Sequence, residues 1–190
     1  MDIENVIPAH YLPLTTERLT LRFFTAEDAE AHLAYQGRAE VAEYLYRAPL
    51  SAPESSEAVN RAAAARRWAE SGDSLTLAIL HDGLLIGEVP LTLTGARARQ
   101  VEIGWVFSPE VRGRGFAVEA ARAALDLAFT RLGAHRVFAR LDTRNLGSVR
   151  VCERLGLRRE AHLIDNDQTP DGAWGSEYVY ALTRPEYPTP

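Results

Sequence analysis

The run His81-Asp82-Gly83 separates two apolar segments, SLTLAIL (74–80) and LLIGEVPLTL (84–93). Asp-Gly is a hairpin turn signal, because the tight turn needs left-handed backbone that few other pairs tolerate. The two segments are therefore read as an antiparallel pair. A third apolar run, RQVEIGWVF (99–107), continues the meander. Pro90 demotes part of the second strand to an edge or a bulge, since it offers no N–H. Gly104 marks a bulge or a close backbone approach in the third.

Periodicity places the remaining elements around this meander. LTLRFF alternates Leu19, Leu21 and Phe23 inward, a strand signal. Thr25 and Asp28 form a capping-box pattern that opens a helix reaching about Tyr35. A second helix is expected from Glu54 to Glu70, stopped by Gly72. After the meander come a helix from Phe116 to Leu132, ended by Gly133, and the strand HRVFARL (135–141). Asn145 caps a short helix to Leu155, which Gly156 terminates. Two last strands, LRREAHLI and SEYVYALT, are joined by a polar loop at 165–173. The order β-α-α-β-β-β-α-β-α-β-β is a mixed α/β chain around one sheet.

The 190 residues, 46% of them hydrophobic, fit one domain with a real core. We place it at 16–184, between an N-terminal arm (1–15) and a C-terminal tail (185–190). A net charge of −5 gives no electrostatic basis for nucleic-acid binding. No apolar run approaches the roughly 20 residues of a membrane span. MDIENVIPAH has no basic n-region, so a cytoplasmic location is expected. Cys152 is alone, which rules out an internal disulfide and a Cys-based zinc cluster. The histidines at 10, 32, 81, 135 and 162 show no ligand spacing, and no metal is expected. All 21 basic residues are Arg. Without Lys there is neither a Schiff-base amine nor a Walker-type phosphate lysine.

The chemistry concentrates in RGRGFA, Arg112 to Ala117, which follows a strand and opens a helix. Successive amides at such a junction form an anion-binding concavity. Gly113 and Gly115 let the backbone approach closely, and Arg112 and Arg114 can supply phosphate-directed forks. A phosphate or pyrophosphate site is the physical expectation. A P-loop would require a Lys, and a dinucleotide fingerprint would require Gly where Val118 stands.

The stretch Arg112-Gly113-Arg114-Gly115-Phe116-Ala117 resembles the acyl-CoA-binding motif Q/R-x-x-G-x-G/A of the GNAT N-acetyltransferase superfamily. EIGWVFSPEVRGRGFAVEA, NLGSVRVCERLGLRREA and TERLTLRFFTAEDA resemble stretches of its Rim-type subgroup, which includes the ribosomal-protein N-terminal acetyltransferases. The similarity runs in order from about Thr16 to Thr183. It implies a single mixed, mostly antiparallel sheet flanked by helices, with the fourth and fifth strands (99–107 and 135–141) splayed apart. It implies acetyl-CoA as cosubstrate, with pyrophosphate on the amides of Arg112 to Ala117. Pantetheine would pair along Trp105, Val106 and Phe107. Asn145 would cap its helix or contact pantetheine.

The reaction implied is direct attack of a primary amine on the thioester. The acceptor is a protein N-terminus or a small amine. A non-catalytic acyl-CoA sensor is the alternative. A protonated amine cannot attack, so a base is needed, and Glu102 is the first candidate, with Glu88 second. The superfamily's usual donor to the leaving thiolate is a Tyr where this chain has Cys152. Ser148, one helical turn earlier, is the candidate donor or water holder, and proton transfer through Cys152 is the other route. Glu119 is read as structural. Tyr44, Tyr46, Trp68 and Trp174 are candidates to line an acceptor cleft. Relatives of this kind are often homodimers, and the last strands are where a second copy would pair.

Overall fold

A computed structural model describes residues 5–188. Its strands are β1 (Leu14–Thr15), β2 (Thr20–Phe23), β3 (Ser74–His81), β4 (Leu84–Gly95), β5 (Gln100–Ile103), β6 (Val106–Phe107), β7 (Arg136–Asp142), β8 (Arg158–Gln168) and β9 (Trp174–Thr183). The α-helices are α1 (Ala29–Gln36), α2 (Ala39–Ala42), α3 (Ala52–Ala64), α4 (Phe116–Thr130) and α5 (Leu146–Leu155). The sheet order is β1-β2-β3-β4-β5-β7-β9-β8, and β6 pairs only with β4. Every pairing is antiparallel except β5 with β7.

Side-chain alternation decides which face holds the core. Leu75, Leu77 and Ile79 of β3 and Val89, Leu91 and Leu93 of β4 point to one face. There they meet Phe116, Ala120, Ala124, Leu127 and Ala128 of α4 and Val151, Cys152 and Leu155 of α5. Truncating one such buried leucine to alanine costs roughly 2–5 kcal/mol. The opposite face carries α1 and α3 over a smaller cluster of Phe24, Val59 and Ala78.

The expected capping box is present: Thr25 N–H donates to Asp28 Oδ2 at 2.8 Å, and Arg22 forks onto the same carboxylate at 2.7 Å. A second capping box, Ser51 with Glu54, starts α3 at Ala52, two residues before the expected Glu54. The C-terminal end of α3 departs further from expectation. The helix stops at Ala64, and Ala65 is extended. Residues 66–67 instead pair with the N-terminal arm, where Ile7 N–H donates to Arg66 O at 2.7 Å and Val6 bridges Arg67. Helical periodicity in AAAARRW cannot reveal that a distant segment competes for those backbone groups. The arm itself is tied down, with Ile7 and Leu12 in the core and Leu14–Thr15 paired to β2.

Pro90 is also placed differently. It lies in the central strand β4, not at an edge, opposite Gly104. Gly104 N–H donates to Pro90 O at 3.0 Å, but Pro90 has no N–H to return. The expected strand 99–107 accordingly breaks at Gly104-Trp105 into β5 and β6. Gly104 is a close approach, since a Cβ there would sit 3.2 Å from Pro90 Cγ. The polar loop expected at 165–173 shortens to 169–173, because β8 runs on to Gln168.

Candidate active site

The break between β5 and β6 lies where the sheet opens. β5 and β7 pair only through Gln100↔Arg136, Val101↔Val137 and Glu102↔Phe138. Beyond Glu102 the two strands part, and β6 continues along β4 alone, Glu88 facing Val106 and Gly87 facing Phe107. The outer backbone edge of residues 105–107 therefore has no strand partner and faces the opening. Gly87 makes this seating close: a Cβ on it would lie 2.5 Å from Val106 O and 2.7 Å from Phe107 Cδ1. Its signal in the sequence was a glycine inside a strand run, which sequence reading passed over.

β6 leads through a short turn into the Gly-Arg loop. Gly113 (φ +77°) and Gly115 (φ +80°) are both left-handed, and Gly115 is the N-cap of α4. Any side chain at either position would be strained. Phe116 is buried beneath the loop. Arg18 and Arg114 cover its ring at 4.6 and 4.7 Å, and the His81 ring packs at 4.6 Å. Arg114 Nη2 also lies 3.3 Å from His81 Nε2. Arg112 turns away from the loop toward α2, where its guanidinium meets Glu40 at 3.2–3.4 Å. Ala117 occupies the first turn of α4.

Glu119 clamps the start of β2 to this helix. Its carboxylate accepts from Thr16 Oγ1 at 2.6 Å, Arg18 N–H at 2.9 Å and Arg18 Nε at 2.7 Å. Burial alone would raise its pKa, but these donors and the Arg18 charge together hold it below the usual carboxylate range. Arg18 in turn donates to Arg114 O at 2.9 Å. Arg18 and His81 thus belong to the loop's surroundings, although the sequence separates them from it widely.

On the opening's other wall, α5 is capped by Asn145, whose Oδ1 accepts from Ser148 N–H at 3.0 Å. Trp105 Nε1 donates to Ser148 Oγ at 3.1 Å, joining the β5–β6 break to α5. The Ser148 hydroxyl keeps its own proton to give. Cys152 is directed elsewhere. It is fully buried in the core, and burial pushes its thiol up to about 12. A thiol held so high passes a proton to an ordinary thiolate only uphill. Of the two candidate donors, Ser148 is the one in contact with Trp105 at the break between β5 and β6.

Glu102 lies at the last paired position before the opening, half-buried, and among the described residues no cation pairs with it directly. Burial raises its pKa; Arg140 opposes the shift and Glu177 adds to it. Glu88, the second candidate, is instead held by donors. Tyr35 Oη donates at 3.0 Å, Gln36 Nε2 donates at 2.8 Å, and His32 Nε2 lies 3.0 Å away. These three contacts fix the carboxylate against α1, turned to the helix rather than to the opening.

Tyr44 and Tyr46 reach the ends of β7 and β9, where Tyr46 Oη donates to Ser176 O at 3.4 Å. The Tyr46 ring leaves no room for a Cβ at Gly175, which would come within 2.4 Å of it. Arg144 lies 5.8 Å above the Tyr44 ring and pairs with the buried Asp142 at 2.7 Å. Trp68 packs against the main core on the far face, so it does not line this end as the sequence suggested. Trp174 is 62% exposed at the start of β9.

An open mixed sheet, a strand with a free edge in its notch and a glycine loop at a helix start define an acyl-CoA-dependent acyltransferase fold. The family model "Acetyltransferase (GNAT) domain" matches residues 18–158, and the chain belongs to this family. It is 29% identical over 175 residues to the uncharacterized N-acetyltransferase YnaD of Bacillus subtilis, covering 92% of this chain and 98% of the relative. A spermidine N(1)-acetyltransferase of Vibrio cholerae is 33% identical over 43% of this chain and 47% of its own length. The putative ribosomal N-acetyltransferase YdaF of B. subtilis is 29% identical over 78% of this chain and 82% of its own. The crystal structure of a GNAT-family acetyltransferase from Bacillus anthracis superposes with a TM-score of 0.82 at 28% identity, covering 92% of this chain and all of that one. The protein is an N-acetyltransferase. Among the described residues, no helix is long and apolar enough to cross a membrane.

Proposed function

We propose that this enzyme transfers the acetyl group of acetyl-CoA to a primary amine by direct attack on the thioester. The observation that carries this reading is the free edge of residues 105–107, lying in the notch and running straight into the left-handed glycines of the loop. The residues fit the cosubstrate. Amides from Arg112 to Ala117 take the pyrophosphate, with Arg114 beside them, and the edge at Trp105, Val106 and Phe107 takes the amide-bearing pantetheine arm. Arg112, committed to Glu40, contributes its backbone rather than a guanidinium fork.

Glu102 is the proton acceptor for the incoming amine, directly or through water. Its raised pKa suits that task, since a base works best when its pKa approaches the working pH. A backbone N–H near Val106 serves the tetrahedral oxyanion. Ser148, fixed by Trp105 and by the α5 cap, donates toward the leaving thiolate. Asn145 positions Ser148 by capping the helix. Most of the acceleration comes from holding two reactants together. The relatives named for spermidine and for ribosomal substrates support a primary amine, small or at a protein N-terminus, as acceptor. The Rim-type resemblance is one branch of that range. The acyl-CoA-sensor alternative finds no support among relatives that are named N-acetyltransferases.

The test is calorimetric titration with acetyl-CoA, followed by CoA release over a panel of amines and N-terminal peptides. Micromolar-range binding is expected in the wild type, and Gly115→Glu, which puts a charged side chain into left-handed backbone at the pyrophosphate, is expected to lose it. Folded protein that binds no acetyl-CoA would remove the proposal.

A further inference from the structure

Glu102, Arg140 and Glu177 form a diagonal line across the sheet at the edge of the opening. Glu102 of β5 pairs with Phe138 of β7, and Arg140 stands two residues further along β7, on the same face. Arg140 pairs with Val179 of β9, two residues from Glu177, again on one face. This is the face that carries α1: Glu102 registers with Thr92 of β4, and Glu88, on the same side of β4, meets Tyr35 and Gln36. The alternating residues Val101, Val137 and Ala139 point the other way, into the main core. Arg140 therefore has a carboxylate on each side. Diagonal neighbours on one face are roughly 7–8 Å apart, within reach of a long side chain.

The arginine takes only one of them. Its Nη2 pairs with Glu177 Oε2, and Asn166 Nδ2 donates to the same oxygen. It makes no direct bond to Glu102, although each feels the other's charge. Burial explains the choice. Glu177 is 6% exposed, and a buried carboxylate left alone is costly. Glu102 is half-buried and keeps contact with water. The other charges on this face are committed elsewhere. Arg136 meets Gln100 and Glu160. Arg144 holds Asp142, with the Tyr46 hydroxyl beside it. Glu88 is held by α1, and Arg47 donates to Gln36 of that helix. Asp167 of β8 acts on Arg140 at longer range and is exposed, where water and salt screen it.

We propose that Glu177 is a positioning residue for acetyl transfer: by holding Arg140 on the β9 side, it keeps that guanidinium off Glu102 and leaves the base free for the proton of the incoming amine. This rests on the acetyl-transfer reading above, with Glu102 as proton acceptor. Glu177 acts through Arg140 and not on the reacting atoms. With Glu177 neutral, Arg140 turns toward β5 and closes on Glu102 as an ion pair. A carboxylate so clamped is a weaker proton acceptor.

The experiment follows kcat/KM against pH by CoA release, with the full chain, acetyl-CoA and whichever of spermidine and an N-terminal peptide the wild type turns over faster. Carbon NMR of the glutamate carboxyls, assigned with Glu102→Gln, reads the same titration without an acceptor. Each variant is first titrated with acetyl-CoA to show that it is folded. Glu177→Gln is expected to move the acid limb down by about one pH unit or more and to lower the plateau severalfold. Arg140→Gln is expected to move the limb up. The double variant, which lacks the clamp as well as its restraint, should recover most of the plateau lost in Glu177→Gln. An ion pair that only supports the fold gives no such rescue. Should Glu177→Gln not fold, Arg140→Gln against Arg140→Lys decides, with the limb raised only where the charge is lost. A limb unmoved in every variant, or a double variant no faster than Glu177→Gln, would overturn the positioning role and leave Glu102 as base. A Glu102→Gln variant as active as wild type would overturn the base and this proposal with it. Absence of acetyl-CoA binding by the wild type would overturn acetyl transfer itself.

Discussion

The two sides of the notch are built in different ways. The side we propose for the cosubstrate, from Gly104 to Glu119, is one continuous piece of chain: a strand with a free edge, a turn, two left-handed glycines and a helix start. The side we propose for the acceptor draws on β5 and residues 44–46, brought together only by sheet register and by packing against the ends of β7 and β9. A molecule common to many enzymes is met by local backbone, whose geometry a short motif can specify. A molecule particular to one enzyme is met by side chains on separate elements, which can change one at a time.

Substitutions on each side should therefore fail differently. The largest expected effect is on the acceptor side. Glu102→Gln should lower kcat/KM by about 10²-fold or more with acetyl-CoA affinity unchanged, read by steady-state assay beside calorimetry. The wild-type profile should show an acid limb above the ordinary carboxylate pKa, and the variant should lack it. Stability should move the other way. A carboxyl whose folded pKa is raised by burial costs stability once pH exceeds its unfolded pKa, so the variant should melt higher at neutral pH.

Gly87→Ala probes the cosubstrate side through packing alone. The added methyl meets Val106 O and the Phe107 ring, so about 1–3 kcal/mol of stability should be lost together with acetyl-CoA affinity. Urea denaturation with and without acetyl-CoA reads both. Unchanged affinity would separate the β6 edge from the cosubstrate.

The smallest effect is at the clamp between β2 and α4. Glu119→Gln should cost about 1–2 kcal/mol at pH 7 in urea denaturation. The lowered pKa of Glu119 stabilises the fold above the unfolded carboxylate pKa, and that contribution disappears as pH falls through the folded value. The difference between wild type and variant should therefore shrink in acid. A gap that persists there would assign the loss to packing.

The same division governs how much could be read from the amino acids. Asp82-Gly83 identified the β3–β4 hairpin, Thr25 with Asp28 identified the first helix, and Gly113 with Gly115 identified the loop, because each is a local backbone requirement. Gly104 showed itself as a close approach for the same reason. The end of α3 was not legible, since it depends on residues 5–7 arriving from far away to pair with 66–67. Nor was the Arg112–Glu40 pair, or the place of Trp68 in the main core. Cys152 occupies the helical position that spacing suggested, but which way that helix turns is set by packing on α4. The Arg66 stack on Phe23 joins residues more than forty positions apart, and no periodicity announces it.

The parallel contact between β5 and β7 is three residue pairs long. Across that seam the sheet divides into two blocks, β1 to β6 and β7 to β9, each extensively paired within itself. A molecule lodged in the notch would be a rivet shared by both blocks, and its free energy of binding would enter the cooperativity of unfolding. At a hundred times its Kd a ligand of the native state adds about 2.7 kcal/mol. Amide exchange in β7 to β9 would slow as the notch filled. The resistance of the folded chain to opening would then gauge how much of the coenzyme its surroundings hold.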